Sequence, residues 1–467
     1  MATGKLYTYQ DLLAVGNDEK ARMDFIRDVV AAHKQSDAFR EAVDAGKYYN
    51  GENPTIASYE KVVYNALGKA ERNLWTANHK IASHFLKFAV RQKTSFLLGN
   101  GVSFTKSETK GKLGESFDRV LIRTAKAAKI EGICFGFWNL NRVERFKFTE
   151  FAPLRDEEDG LLKAGIRFWR LAEGKPERYT LFELEGLTDY IAREGGASAS
   201  DMRVLTPRRA YKTVRSQSAA EGVILSQGQN YPAFPIVPLK NGTRCLSEIH
   251  GRRNTIDALD FLTSGMVNNV DESSLIFWLI QNAGGMDEQD DQDFLLKVLR
   301  THVAHVEGDA QVSPHQLEAP VEASRETLDM LTKKLYQDFS CFDATSISLG
   351  SQTATAIEAA YTLLELDTDD FEGYVSEFVQ GILTLAGIDD KPTYTRAQLT
   401  NRTEGIQAVV AAANYLSPEY VTRKLLEILG DADKADEVLE QMDAEAAARL
   451  ANAGADEETE ESEDGNG

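Results

Sequence analysis

The chain has 467 residues, 42% apolar and 27% charged, the composition of a globular protein long enough for two to four domains. Its net charge is −21, and taking away the seven acids of the terminal DEETEESED run still leaves −14, so the body lacks the basic excess of a protein that grips duplex DNA. No apolar run approaches the ~20 residues of a membrane helix, MATGKLYTYQDLL carries no signal-peptide core, and three scattered cysteines, Cys134, Cys245 and Cys341, exclude a disulfide framework and a C-x-x-C zinc site.

In chain order, helices are expected over 17–33 and 36–45, then a turn in YYNGENPTI, where Asn-Gly and Asn-Pro steps break the pattern. NHKIASHFLKFAVRQKTSFLL, residues 78–98, reads as one core helix with solvated charges, stopped by Gly99-Asn100-Gly101. After a helix over 117–129 the period changes. GICFGFWNLN, RVERFKFTEFAP, LKAGIRFWRLAE and ERYTLFELEG are short and aromatic-rich, as strands of an antiparallel sheet are, and RDEEDG is a hairpin turn. Residues 190–229 are weakly patterned, with GGASAS as a surface loop; Pro232, Pro235 and Pro238 then punctuate an extended link that Asn241-Gly242 turns.

Two helical struts follow. In EIHGRRNTIDALDFLTSGMVNNVDE, Ile256, Leu259, Met266, Val267 and Val270 lie near one face; in ASRETLDMLTKKLYQDFSCFD, Leu328, Leu331, Leu335, Phe339 and Phe342 recur at helical spacing, with Ser324 placed to cap. At 1.5 Å per residue they are roughly 30 to 38 Å long. Between them, a strand in SSLIFWLIQ, the helix-like DQDFLLKVLR and extended pieces at 303–306 and near Leu317 make an αβαβα insertion. Seams this narrow are expected to be buried against copies of the same chain.

The second strut leads to TSISLGSQTATAIE, small and uncharged until Glu358, with Thr355 and Glu358 at capping-box spacing. From there Ile357, Tyr361, Leu364, Phe371, Val375, Phe378, Ile382 and Leu385 keep the rhythm of one long helix or two collinear ones, with bends expected at 367–370 and Gly373. Helices over 402–415, from Ser417-Pro418 to Leu429 and over 434–450 complete the fold, and the acidic tail is expected to be disordered.

No phosphate loop, dinucleotide fingerprint, nucleophile elbow or H-E-x-x-H is present. His302 and His305 would lie on opposite faces of an extended segment, which argues against a metal site. No catalytic residue, metal ligand or cofactor is expected. From residues alone three readings stand: a ring-forming conduit, a cytosolic enzyme with an unmotified active site, and a helical adaptor.

The order of these pieces decides among them. The helical N-terminus, YYNGENPTI, NHKIASHFLKFAVRQKTSFLLGNGVSF, FTEFAPLRDEEDGLLKAGIRFW, the proline link, the paired struts with their insertion, the small-residue loop and the long helix together resemble the portal (head-to-tail connector) proteins of tailed bacteriophages, nearest those of siphophages of Gram-positive hosts. The resemblance implies an α+β fold, mainly helical, with a strand-rich wing over 1–243, stem helices over 244–272 and 324–344 and a small α/β clip over 273–323. It further implies a tunnel loop over 345–354, a long kinked helix over 355–388, crown helices over 389–452 and the tail over 453–467. It implies a homo-oligomeric ring, dodecameric in the capsid, passing double-stranded DNA, with terminase large subunit, head-completion or adaptor proteins, scaffold and major capsid protein as partners and no membrane. The location would be the virion's portal vertex, after assembly in the host cytoplasm. Ser346, Ile347, Ser348, Leu349, Gly350, Ser351, Gln352 and Thr353 would face the DNA. A sliding duplex needs few fixed cations, and this loop has neither Lys nor Arg. Lys333 and Lys334 are then the nearest phosphate contacts, and Ile256, Leu259, Met266, Leu328, Leu331, Leu335 and Phe339 the subunit seam of the stem.

Overall fold

The computed structural model describes residues 5–64, 69–72, 77–192, 201–217, 224–273, 276–281, 311–316, 321–343, 354–397, 402–429 and 434–445. The chain divides into two units, Met1–Asp343 with Leu363–Ala397, and Ala344–Thr362 with Gln398–Gly467.

The first unit opens with α1 (Tyr9–Val15), α2 (Glu19–Gln35), α3 (Asp37–Asn50) and α4 (Pro54–Ser58). Thr8, Asp18, Ser36 and Asn53 cap them by accepting first-turn N–H groups. Both expected helices therefore form. A short pair, β1 (Val62–Tyr64) and β2 (Ala70–Arg72), comes next. Of the helix expected over 78–98 only the last two thirds form, α5 (Phe85–Leu98); the preceding residues run extended, for a reason given below. Beyond β3 (Val102–Phe104) and α6 (Glu108–Leu113), α7 (Phe117–Glu131) forms as its pattern predicts.

The aromatic region makes two antiparallel sheets. One has the order β13 (Ile236–Lys240), β4 (Ile133–Asn139), β5 (Arg142–Lys147); the other has β10 (Met202–Arg209), β9 (Gly186–Ala192), β8 (Arg178–Glu183), β7 (Leu162–Trp169), β6 (Phe151–Arg155). RVERFKFTEFAP is thus two strands in different sheets, parted by a 3-10 turn at Phe148–Glu150. The weakly patterned stretch supplies the end of β9, β10 and a hairpin of β11 (Lys212–Gln217) with β12 (Ile224–Gln229); GGASAS falls outside the described residues. The proline link is in part a strand, Pro238 being tolerated because β13 is an edge strand. Leu12, Phe25, Ile26 and Val29 of α1 and α2 pack on Leu154, Ile166, Leu181 and Tyr190 of the larger sheet. On its other face Phe135, Phe146, Phe151 and Phe182 join the two sheets, Phe135 and Phe151 having ring centroids 4.6 Å apart.

The first strut spans Arg253–Ser273 and the second Val321–Asp338. The second starts before Ser324, which is therefore not its cap. It stops before Phe342 because Ser340 adopts φ 49°, while Ser340 and Cys341 donate their N–H groups to the Gln337 and Tyr336 carbonyls. Between the struts β14 (Ile276–Gln281) pairs antiparallel with β15 (Gln311–Gln316); the expected helix over 291–300 and the piece at 303–306 lie outside the described residues. One long helix spans Ala354–Ala386, so Thr355 lies inside it rather than capping it. From residue 363 it belongs to the first unit, where Phe371, Val375, Phe378 and Ile382 pack on α7 and β4. β16 (Pro392–Tyr394) pairs with β3.

In the second unit a helix over Arg402–Ala412 precedes one over Pro418–Leu429, with Ser417 Oγ accepting the Tyr420 N–H at 3.3 Å, and a third over 435–445. Ser417-Pro418 are cap and first position, as expected. The tail lies outside the described residues. Among the described residues no helix is long and apolar enough to cross a membrane, and no three metal-type side chains converge.

Candidate functional site

The struts leave the body at a point built by close backbone contact. Gly132, with φ 85°, turns α7 into β4 so tightly that a Cβ there would stand 2.2 Å from the Cys245 carbonyl oxygen. The chain before the first strut is therefore drawn under α7. Asn241 N–H donates to Gly132 O at 2.8 Å, Ser247 Oγ to Ile130 O at 2.6 Å, and Glu248 N–H to Lys129 O at 2.8 Å.

This places the Glu248 carboxylate in the interior. Its Oε1 lies 2.6 Å from Lys93 Nζ of α5 and 3.0 Å from Arg252, and its Oε2 is 3.4 Å from Lys129 Nζ of α7. Asp367 of the long helix closes the ring, 3.0 Å from Lys93 and 3.3 Å from Lys129. Lys93, Lys129 and Glu248 are only 1–3% exposed. Burial alone would raise the Glu248 carboxyl, but Lys129, Lys93 and Arg252 outweigh it and hold the group far below the usual carboxylate range. Burial would likewise lower the Lys93 ammonium, and Glu248 and Asp367 raise it. The lattice thus ties α5, α7, the strut base and the long helix at one point. Beside it opens a groove of ≈ 570 Å³, lined among others by Arg252, Lys334, Asp338 and Asp370. Nothing in the sequence motifs pointed here; the available signal was a lysine inside each of two otherwise apolar helix faces.

A second device explains why α5 begins late. His79, Ile81 and Ser83 donate their backbone N–H groups to Asn268 Oδ1 at 2.7 Å, Ser264 Oγ at 2.9 Å and Asp260 Oδ1 at 2.9 Å. Two extended residues rise about 6.6 Å and four helical residues about 6 Å, so alternate amides of a strap meet every fourth residue of a helix. Asp260, Ser264 and Asn268 are 1%, 5% and 7% exposed, so the side of the first strut that takes this strap is buried and polar. Ser264→Ala should take the acceptor from the Ile81 amide, a local loss of about 0.5–1.5 kcal/mol. Hydrogen exchange at Ile81 should then accelerate more than at His79 or Ser83; unchanged exchange there would mean the strap is held by something else.

The predicted seam residues divide. Ile256, Leu335 and Phe339 are 0–1% exposed and pack with Leu86, Ala89 and Val90 of α5 in the chain's own core. They have no surface left for a neighbour, which corrects their assignment to the subunit contact. Leu259 packs at the edge of the same cluster, and Met266, Leu328 and Leu331 are half-buried. Lys334 pairs with Asp338 at 3.0 Å, while Lys333 is exposed and has no ion pair among the described residues. Ser346 to Thr353 lie outside the described residues.

The family described as phage portal protein, SPP1 Gp6-like, matches residues 32–450. The portal protein of Bacillus phage SPP1 is 23% identical over 405 residues, covering 78% of this chain and 76% of that one. The portal protein of Clostridium phage phiCD119 is 22% identical over 440 residues, covering 86% and 92%. A chain from the neck of a native gene transfer agent particle aligns at a TM-score of 0.44 and 13% identity, covering 81% of this chain and 98% of that one. Because the family match runs from α2 in the first unit through the three helices of the second, the chain belongs to the SPP1 Gp6-like phage portal proteins.

Proposed function

We propose that this chain is the subunit of a closed ring, dodecameric in the capsid, that forms the channel at one vertex through which double-stranded DNA is packaged and later ejected. The observation that carries this is the family match across residues 32–450. The role is structural, and no catalytic step is assigned to any side chain. In this reading residues 1–243 are the wing, the two struts the stem, 273–323 the clip that docks the terminase large subunit and later head-completion proteins, and the helices after 389 the crown, with scaffold and major capsid protein as further partners. Two struts bracketing a strand pair support the stem-and-clip assignment. Residues 346–353 would line the channel, with Lys333 the better placed of the two lysines for a phosphate because Lys334 already holds Asp338. Of the expected seam, Leu259, Met266, Leu328 and Leu331 remain proposed as subunit contacts.

Native mass spectrometry and end-on electron microscopy of the purified chain test the reading. Closed rings are expected, of twelve or a neighbouring number of copies. Monomers and dimers under every condition tried would sink it.

A further inference from the structure

The geometry points to a second intersubunit contact at the larger sheet: a basic, tryptophan-centred row at one end of its strands docks on the acidic hairpin at the other end of a neighbouring copy's sheet. This rests on the ring reading above.

The row is read from register. Trp169 of β7 stands opposite Arg178 of β8, Arg178 opposite Ile191 of β9, and Ile191 opposite Arg203 of β10. The residues next in sequence, Phe168, Tyr179, Tyr190 and Met202, are in the core beneath α1 and α2, so alternation puts the row on the opposite face. The guanidinium carbons of Arg178 and Arg167 lie 5.6 and 5.7 Å from the Trp169 ring centroid. Arg178 and Arg203 are exposed. Of the carboxylates near that face, Asp189 is already held by Arg209 at 2.7 Å and by the Thr180 hydroxyl at 2.7 Å, while Glu144 and Glu150 lie near Arg167. Among the described residues no ion pair involves Arg167, Arg178 or Arg203, and the buried Arg167 Nε has no hydrogen-bond partner. Arg167 is half-buried and is within the field of Glu144, Glu150 and Asp189; two exposed arginines, Arg178 and Arg203, in no ion pair among the described residues of a chain of net charge −21, mark a surface that takes an anion from outside.

The complementary surface is on the same sheet. Residues 156–159 are four consecutive acids in the turn between β6 and β7. Lys163 holds Asp156 at 2.6 Å and Asp159 at 2.9 Å, while Glu157 and Glu158 are exposed and in no ion pair among the described residues. β7 runs from beside this turn to Trp169, so the two ends stand about 25 Å apart, the length of the strand. They cannot satisfy each other within one chain. A closed ring joins each copy to the next through two unlike surfaces, and an acidic end facing a basic end is such a pair.

The test is a charge swap on the full-length chain, read as the protein concentration at which rings form in native mass spectra. Arg178→Glu with Arg203→Glu should raise that concentration at least tenfold, as should Glu157→Arg with Glu158→Arg, and combining all four should restore it; circular dichroism confirms that each variant folds. Rings of wild type and variants forming at one concentration would overturn this inference alone, whereas a wild type that forms no ring removes the ring reading itself. If the arginine variant assembles normally but no longer retains a short DNA duplex that the wild type retains, the row is a nucleic-acid surface and the proposal is wrong.

Discussion

Glu248→Gln should cost the fold about 3–5 kcal/mol, the usual loss when one partner of a buried ionic group is removed and the others stay. Three cations, Lys93, Lys129 and Arg252, would be left around Asp367 alone, which is 3.0 and 3.3 Å from the two lysines. Adding Lys93→Met should recover part of the loss, because the extra buried charge goes with it. The acid limb of the stability profile should change too. A carboxyl held below its ordinary range in the folded state contributes stability that is complete above its unfolded value of about 4.3 and disappears as pH falls through the depressed folded value. Lys93, held above its range, contributes stability that is present below about 10.4 and is lost as pH rises through its folded value. Denaturant unfolding of wild type and Glu248→Gln at pH 7 and at pH 3 checks the carboxyl, and unfolding of wild type and Lys93→Met at pH 7 and at pH 11 checks the ammonium. A Glu248→Gln variant within about 1 kcal/mol of wild type at pH 7 would mean that water, not the lattice, compensates Glu248.

How far the sequence could be read depended on whether a segment's partners were close to it in the chain. α2, α3, α7, the RDEEDG hairpin and the helix at Pro418–Leu429 were legible because caps, turns and periodicity are local and each is visible in a dozen residues. The first third of 78–98 has good helical composition and still runs extended, because its amides are claimed by side chains nearly two hundred positions later, at Ser264 and Asn268. β9 and β10 were faint for a related reason: only alternate residues such as Tyr190 and Met202 reach the core, and the positions between them mix polar and apolar side chains, Asp189 and Arg203 with Ile191 and Leu205. The lattice joins residues 93, 129, 248 and 367, a constellation that no spacing encodes. The apolar stripes of the struts were read correctly as stripes, but a stripe says only that something covers it. For Ile256, Leu335 and Phe339 the cover is α5 of the same chain. The step from narrow seams to a ring therefore holds at most for the residues farther along the struts, and membership of the portal family stands on the match through residues 32–450 instead.

Leu331 and Leu335 sit one turn apart on the second strut and should respond to the same substitution in opposite ways. Leu335 is fully buried beside Leu86, Val90 and Phe339; an aspartate there would place a carboxylate among apolar side chains, the nearby Arg252 and Lys93 being already engaged with Glu248, and Leu335→Asp should cost more than 4 kcal/mol and abolish folding of the strut base. Leu331 is half-buried, in line with Leu328. There an aspartate keeps access to water, so Leu331→Asp should melt close to the wild type. If this part of the strut meets a neighbouring copy, ring assembly should fail, because a desolvated charge now opposes an apolar contact. Circular dichroism separates the first effect and native mass the second. Leu331→Asp chains that fold and still assemble would remove Leu331 from the subunit contact, and chains that unfold as Leu335→Asp does would assign this turn of the strut to the internal core as well.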